Sequence, residues 1–293
     1  MISIQKNGAV AEIAELGAEM RSYRTKEGKD CLWSGDAAVW GGVAPLLFPV
    51  IGCLKNQSVR IRGKAYAVPR HGFARTMAFQ VAQQSEESCT LTLTDTPETR
   101  AVYPFAFCLT MTHRMLDNGF STEYQVENKS DETMPFVIGG HPGFACPMNA
   151  GERFEDYHIL FDQEETGRSL LYGEGSLMAG EEIVALGADH RTLALSYDSF
   201  DKKDTLTFAG LASRKVRLVH KDTGKGICFS FPNSPVLAIW TQPGTHAPYL
   251  CLEPWNGIPG AIDETGNFED KPYHIALAPG ERFSAGYSME LLD

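Results

Sequence analysis

The sequence predicts an all-β fold built from antiparallel strands, and three observations predict it. Apolar and polar residues alternate with period two along much of the chain, as in residues 88–94, which read S-C-T-L-T-L-T. Glycine, proline and asparagine separate these runs at short intervals, as turns do between strands. The 3.6-residue periodicity of helices is not sustained in any segment, so a sandwich or barrel is favoured over βαβ units.

Two hairpins are the clearest predicted elements. Residues 105–115 place alternate apolar side chains on one face, Asp-Asn-Gly at 117–119 supplies a turn, and residues 120–128 return as the second strand. Asn-Gly is the strongest short turn signal between strands. Residues 215–220 and 227–231 repeat the arrangement around a second glycine-containing turn.

The remaining elements are predicted from shorter patterns. Three further runs read as strands: 236–241, 249–252 and 283–291. Residues 36–40 and 96–103 are each long enough for a short helical turn. Residues 151–191 are acidic and less regular, which predicts longer loops. With no linker, low-complexity block or internal repeat in the sequence, residues 1–293 are predicted to form a single β-sandwich domain.

Composition narrows the class of protein. The 293 residues are 43% hydrophobic and 22% charged, as in ordinary globular proteins, and the formal net charge is −11. Without a basic cluster, nucleic acid is excluded as a partner. The longest apolar runs, such as residues 43–53, are too short to span a bilayer, so no membrane partner is predicted.

The cysteines and the N-terminus predict the compartment. Seven cysteines are scattered singly with no CxxC pair, which argues against a disulfide framework or a zinc site. The first residues lack the charged, apolar and small-residue blocks of a signal peptide. We therefore predict a reducing, cytoplasmic location.

Two histidines follow extended stretches and are bounded by glycine. His71 lies in R-H-G-F-A-R, where Arg75 is a possible ligand for hydroxyls or anions, and His141 lies in G-G-H-P-G-F. Glycine before His141 permits close approach of a ligand, and a histidine held rigidly can exchange a proton near neutral pH. Spacing alone favours a structural role for the first motif, in which His71 caps a turn and Arg75 forms a surface ion pair. For His141, a satisfied turn histidine and a functional one are equally open.

Two carboxylates complete the set of candidates. Glu253 ends the apolar run Y-L-C-L-E-P-W, where partial burial would raise its pKa toward that of a general base, and the Trp255 indole offers an apolar face to a sugar ring. Asp204 opens a strand-like run and is a candidate hydroxyl ligand. A solvent-facing carboxylate and a charged surface turn are the structural alternatives. Because the eight histidines are far apart in sequence, no metal site is predicted.

Taken in order along nearly the whole chain, these segments resemble the aldose 1-epimerase family, and within it the LacX-like branch. Each motif is weak alone, and the ordered set is specific. The matching stretches are F-P-V-I-G at 48–52, H-G-F-A-R at 71–75, G-H-P-G-F at 140–144, residues 200–206, L-A-I-W at 237–240, C-L-E-P-W at 251–255 and L-A-P-G-E at 277–281.

The resemblance implies a galactose-mutarotase-like β-supersandwich and a cofactor-free interconversion of sugar anomers. His141 would protonate the ring oxygen as the catalytic acid, and Glu253 would remove the C1 hydroxyl proton as the catalytic base. The implied substrate-binding residues are His71, Arg75, Asp204, Lys55, Trp255 and Trp240. Where many members carry an arginine after the P-V-I-G segment, this sequence has Cys53, and Lys55 or Arg75 is the candidate replacement.

The leading functional hypothesis is a mutarotase for a free aldohexose or related sugar, acting as a monomer or homodimer. A hexose-6-phosphate mutarotase, which needs arginines at the cleft, and a non-catalytic carbohydrate-binding protein on the same scaffold are the alternatives. A hydrolase is disfavoured because it would normally use two carboxylates. The mechanism predicts that Glu253 and His141 face each other across one cleft, separated by a gap the size of a sugar ring.

Overall fold

The computed structural model describes residues 1–292 and consists mainly of antiparallel sheets. A nine-stranded and an eight-stranded sheet form the body, and three-, two- and two-stranded sheets flank them. All strand pairings within residues 1–292 are antiparallel. The predicted all-β class with few short helices is confirmed.

Twenty-four strands and two α-helices are assigned in residues 1–292. The strands of the first half are β1 Ile2–Lys6, β2 Ala9–Ile13, β3 Met20–Arg24, β4 Leu46–Leu47, β5 Ser58–Ile61, β6 Lys64–Ala67, β7 Gln80–Gln84, β8 Ser88–Thr94, β9 Phe107–Leu116, β10 Gly119–Asn128, β11 Met134–Phe136, β12 Ile138–Gly140 and β13 Gly143–Ala145. Those of the second half are β14 Tyr157–Phe161, β15 Arg168–Tyr172, β16 Met178–Ile183, β17 Thr192–Ala194, β18 Thr205–Ala209, β19 Lys215–His220, β20 Gly226–Ser230, β21 Val236–Trp240, β22 Tyr249–Asn256, β23 Ile275–Leu277 and β24 Arg282–Leu292. The helices are α1 Pro97–Val102 and α2 Tyr197–Lys203, and five three-residue 3₁₀ turns lie at Lys55–Gln57, Ala74–Thr76, Phe154–Asp156, Glu174–Ser176 and Phe268–Asp270.

The two large sheets pack face to face around one core. The order of the nine-stranded sheet is β17-β14-β19-β20-β24-β10-β9-β8-β7, and that of the eight-stranded sheet is β16-β15-β18-β21-β22-β12-β4 with β13 paired to β22. Phe161 of the first sheet meets Phe208 of the second edge-on at 5.4 Å between ring centroids. Most buried apolar side chains form one continuous cluster from Ile2 to Met289, and Trp33, Ala247, Tyr249 and Cys251 form a small second one. On that basis we propose that the chain folds as one domain.

The strand predictions hold where the alternation is long. The first predicted hairpin is β9–β10, with Gly119 opposite Leu116 across the Asn-Gly turn. The second is β19–β20, and the predicted short helix near residues 96–103 is α1, capped by the Thr96 side chain. Residues 36–40 form a turn and not a helix. Within residues 1–292, no helix is long and apolar enough to cross a membrane.

Three local features were not predicted. Residues 151–191 contain the strands β14, β15 and β16 in addition to loops. Helix α2 was missed because its seven residues bury one large side chain, Phe200, which leaves no periodicity to detect. Glu253 does not end its strand, because β22 continues through Pro254 to Asn256 with every residue buried. An uninterrupted buried strand carries no alternation that would mark its end.

Burial of His113 between the sheets predicts a loss of stability in acid. Its Nε2 donates to the Ala18 carbonyl at 2.9 Å, so Nδ1 accepts from the Thr122 hydroxyl at 3.0 Å, and burial lowers its pKa from 6.5 to about 4. In the unfolded chain His113 therefore binds a proton below pH 6.5, whereas in the folded chain it binds one only below about pH 4. As the pH falls from 6.5 to 4, this histidine alone should lower the free energy of unfolding by about 1.4 kcal/mol per pH unit.

The prediction is tested by urea unfolding at several pH values between 7.5 and 4.5. His113→Gln should flatten the dependence of the unfolding free energy on pH by about one proton. Exposed His190 is the matched control, and His190→Gln should leave the slope as in the parent. An unchanged slope in the His113 variant would contradict the prediction.

Candidate active site on the eight-stranded sheet

Strand register brings the two catalytic candidates together. Strands β12 and β13 both pair with β22, and Gly143 lies opposite Cys251 in the same register that β12 follows. Continued through the residues between β12 and β13, that register sets His141 opposite Glu253. Directly opposed residues on neighbouring antiparallel strands project from the same face of the sheet. The two side chains therefore meet although 112 positions separate them in sequence.

The pair is in contact, and the expected ring-sized gap is absent. His141 Nε2 lies 3.3 Å from Glu253 Oε2, and the residues are 7% and 2% exposed. Cross-strand neighbours are about 5 Å apart at Cβ, so their long side chains close on each other. In a hemiacetal, the ring oxygen and the C1 hydroxyl oxygen are bonded to the same carbon. An acid and a base this close together can therefore reach both oxygens from one side, and no gap the width of a sugar ring is needed between them.

Burial sets the electrostatics of the pair. It raises the pKa of Glu253 well above the ordinary value, and Arg70 and the Trp255 indole oppose that shift by favouring the carboxylate. Burial also lowers the pKa of His141 to about 3. The mutual contact works against both shifts, because a carboxylate next to an imidazolium stabilises the charged forms. A carboxyl with a neutral imidazole and a carboxylate with an imidazolium each hold one proton in total, so the pair can pass a proton between its members without a change of net charge.

His71 is held in an unusual backbone conformation with a defined tautomer. Its φ of 65° is in the left-handed region, and its Nδ1 accepts from the Gly52 N–H at 3.1 Å. Burial lowers its pKa well below 6.5, so the ring is neutral and Nε2 carries the hydrogen. Arg70 Nε, also a donor, lies 3.3 Å from that Nε2. Two donors converge here, and a substrate oxygen between them would satisfy both.

Two guanidinium groups line the same cavity. Arg75 is half-buried, its Nη2 donates to the Arg70 carbonyl at 3.1 Å, and its Nε has no hydrogen-bond partner within residues 1–292. In the same range neither arginine has a carboxylate within 4 Å. Arg70 and Cys53 both line this cavity. Both cations are therefore available to a ligand.

Asp204 reaches the cavity from a strained position. It follows α2 with φ 63° and ψ −77°, outside the regions that non-glycine residues favour. Its Oδ1 accepts from the Trp240 indole N–H at 3.1 Å. A strained backbone of this kind persists only where the surrounding packing fixes it, and such residues are concentrated at functional sites.

Aromatic rings form one wall of the cavity. Trp40 stacks on the His141 imidazole at 4.9 Å between centroids and meets the edge of Trp240 at 5.4 Å. Trp255 is only 3% exposed, and its ring lies against the Gly139 backbone, so its face is not open in the way the sequence interpretation assumed. Its Nε1 has no partner at hydrogen-bond geometry within residues 1–292. The open aromatic surface comes from Trp40 and Trp240.

The cavity has the scale of one small polar molecule. Its volume is about 240 Å³. Six buried side-chain polar atoms in residues 1–292 have no hydrogen-bond partner, and four of them belong to residues lining this cavity: Arg75 Nε, His141 Nδ1, Glu253 Oε2 and Trp255 Nε1. Buried polar groups are normally satisfied, so this concentration points to a hydrogen-bonding ligand.

The structure gathers seven of the eight site residues named from the sequence and separates one. Glu253, His141, His71, Arg75, Asp204, Trp255 and Trp240 line the cavity. Lys55 does not, because its Nζ donates to the Glu264 carbonyl at 3.2 Å. Of the two replacements considered for the family arginine at Cys53, Arg75 lines the cavity and Lys55 does not, and Arg70 lines it as well.

Sequence reasoning missed several residues of the cavity wall. Trp40, Tyr172 and Gln242 lie in a turn, at a strand end and in a loop, far apart in sequence and without a shared motif. Arg70 had a usable signal, since it directly precedes His71 in the motif. A metal is also geometrically possible: His141, Cys251 and Glu253 each offer one ligand atom, all within 4.8 Å of one another.

An antiparallel sandwich that presents a buried carboxyl–imidazole pair and unpartnered donors to one small cavity is suited to proton transfer on a polyhydroxylated molecule. Comparison with known families agrees with that class. The family model described as aldose 1-epimerase matches residues 1–290. The chain belongs to the aldose 1-epimerase family, and it is an isomerase.

Its relatives cover the full chain. Protein LacX of Lactococcus lactis subsp. lactis, in its chromosomal form, is 30% identical over 299 residues, which is 100% of this chain and 99% of that protein. Among solved structures, a galactose mutarotase related enzyme from Lactobacillus acidophilus is 33% identical with a TM-score of 0.93, covering 100% of this chain and 97% of that one. A galactose mutarotase-like protein from Lactobacillus casei is 30% identical with a TM-score of 0.93, covering all of both chains.

Proposed function

We propose that the chain is a mutarotase that interconverts the α and β anomers of a free aldohexose or closely related sugar. Glu253 is the base toward the C1 hydroxyl, and His141 is the acid toward the ring oxygen. The observation that carries the proposal is the 3.3 Å contact between these buried groups in a cavity lined by unpartnered polar atoms. Anomer exchange needs one acid and one base that act together, and this pair supplies both.

The proton inventory of the pair suits a reversible reaction. Glu253 takes the C1 hydroxyl proton while His141 gives a proton to the ring oxygen, so the C1–ring oxygen bond breaks and a C1 carbonyl forms. The pair then holds the same single proton, now on Glu253. Rotation about C1–C2 and reclosure on the other carbonyl face return a proton to the new C1 hydroxyl and restore His141.

The surrounding residues bind and orient the sugar in this proposal. His71 Nε2–H and the Arg70 guanidinium donate to one substrate oxygen. Asp204 accepts from sugar hydroxyls with the carboxylate edge left free by Trp240. Stacking of Trp40 on His141 restricts the imidazole to the plane seen in the structure, so its hydrogen reaches one point in the cavity.

Polarimetry of freshly dissolved sugars tests the function directly. The protein should accelerate the mutarotation of α-glucose or α-galactose above the buffer rate in proportion to enzyme concentration. Failure across a panel of sugars that nevertheless shift the melting temperature would favour the non-catalytic binding protein.

Seven free thiols and the intracellular chemistry of small sugars lead us to keep the cytoplasm as the proposed location.

Asp204→Asn should weaken substrate binding more than it slows the reaction. A hydrogen bond to a charged acceptor contributes about 1.5–3 kcal/mol, so KM should rise about tenfold or more while kcat changes little. Steady-state kinetics separates the two. Asp198→Asn is the matched control on α2, the helix that Asp204 directly follows, and Asp198 is exposed and paired with Lys202. An unchanged KM in the Asp204 variant would remove Asp204 from the sugar site.

A sugar 6-phosphate is the second candidate substrate, favoured by Arg70 and Arg75. Neither guanidinium has a carboxylate partner within residues 1–292, and Arg70 also borders a neighbouring cavity of about 630 Å³ that shares Cys53 with the first. Arginine recognises phosphate through paired N–H donors. The test compares kcat/KM for a free hexose and its 6-phosphate, and Arg70→Ala should lower the phosphate-to-free ratio if phosphate is the natural group.

A further inference from the structure

Strand alternation places a thiol behind the acid–base pair. Cys251 and Glu253 are two positions apart on β22, so both side chains project from the same face of the sheet. Cys251 is fully buried among Trp33, Trp40 and Tyr249. The proposed sugar chemistry makes no use of this thiol.

The three groups form an incomplete coordination shell. A ring nitrogen of His141, Sγ of Cys251 and a carboxylate oxygen of Glu253 lie within 4.8 Å of one another, and Nε2 of His141 is 3.3 Å from Oε2 of Glu253. Zinc bonds of about 2.0–2.3 Å in a tetrahedron separate neighbouring ligands by about 3.3–3.8 Å. The histidine–carboxylate edge already has that length, and the thiol needs a shift of about 1 Å or less.

Charge and ligand softness favour one class of ion. On binding, the thiol and the acid–base pair each lose one proton to solvent, so a thiolate and a carboxylate neutralise a divalent cation, and the neutral imidazole adds no charge. Arg70 and Arg75 lie on the cavity side and repel cations, so a cation attracted only by the carboxylate charge would be bound weakly here. A thiolate bond is therefore required, which favours Zn²⁺ and Co²⁺ over Mg²⁺.

We propose that His141, Cys251 and Glu253 bind one zinc-class divalent cation, with the fourth position open to the cavity. The ion occupies both members of the acid–base pair and so competes with the sugar. That the three residues bind the ion is argued from geometry alone, whereas inhibition of sugar turnover by the ion rests on the proposed function.

Cobalt spectroscopy tests the site without reference to activity. Titration of the reduced protein with Co²⁺ should give a thiolate-to-cobalt charge-transfer band that saturates at one equivalent and disappears on adding Zn²⁺. Cys251→Ser should remove the band and weaken Zn²⁺ binding by about tenfold or more in calorimetry. Cys53→Ser, which changes another thiol at the same cavity, should leave both as in the parent. Mg²⁺ is the negative control metal.

Two results would overturn the metal site: no charge-transfer band in the parent protein at tenfold excess Co²⁺, or a Cys251→Ser protein that binds Zn²⁺ as tightly as the parent. Circular dichroism checks that the variant is folded, and Cys251→Ala is the second variant should the serine be destabilising. Inhibition is then measured as the ratio of mutarotation rates with and without Zn²⁺ within each variant. Zinc that binds through Cys251 without slowing the reaction would retain the site and overturn the role of the pair, which separates the two proposals.

Discussion

Glu253→Gln should reduce kcat for mutarotation by about 10²–10⁴-fold, toward the spontaneous rate in buffer. Glutamine keeps the shape of the side chain and cannot accept the C1 hydroxyl proton, so the loss is chemical and not steric. His141→Asn should give a loss of the same order, because the shared proton has no second carrier. Polarimetric progress curves at saturating sugar measure both.

A double variant sharpens this prediction. Because the two groups act as one unit, Glu253→Gln with His141→Asn should be little slower than either single variant. Glu181→Gln is the matched control, since Glu181 is half-exposed on β16 and pairs with Arg168 at 3.4 Å. A Glu253→Gln protein that keeps its rate within a few-fold of the parent would place the base elsewhere.

Gly72→Ala should cause a large loss of stability. Gly72 has φ +73°, and a Cβ there would lie 2.0 Å from the Phe48 carbonyl oxygen, which is backbone and cannot rotate away. That oxygen already accepts from the Phe73 and Ala74 N–H groups at 3.0 and 3.3 Å. Strained backbone alone costs about 1–3 kcal/mol, and the clash adds to it, so Tm should fall by about 5–10 °C.

Gly63→Ala separates strain from collision. Gly63 also has a left-handed φ, +76°, but a Cβ there would meet nothing within 4 Å. Its variant should lose only the strain part, about 1–2 kcal/mol. Equal losses in the two variants, measured by urea unfolding, would show that the contact with Phe48 does not govern the loop that carries His71.

The strands were predictable because their signal is local. Period-two alternation in β8, β9 and β10 reports one buried face, and the Asn-Gly turn fixes the hairpin within a few residues. Prediction failed where burial is two-sided or the element is short. β22 is buried along its whole length, and α2 spans seven residues, so neither has a period to detect.

Most residues of the candidate site could be named from the sequence, but their arrangement could not. Glycine-bounded histidines and strand-associated carboxylates identified His141, Glu253 and His71, and the ordered resemblance gave them roles. Lys55 was misplaced because proximity in sequence to Cys53 does not determine the direction of a side chain, and Glu264 holds it away. Trp40 was missed because a tryptophan in a turn is not distinguishable from a core or surface residue by its neighbours.

The sequence by itself therefore determined the all-β class and the family, and it named two candidate groups for proton transfer, because alternation, turns and ordered motifs are properties of neighbouring residues. Tertiary structure decided the distances. Only the pairing of β12 and β13 with β22 brings His141 within 3.3 Å of Glu253, with the Cys251 thiol behind them. Register between strands more than a hundred residues apart is set by packing of the whole sheet, and no local pattern records it.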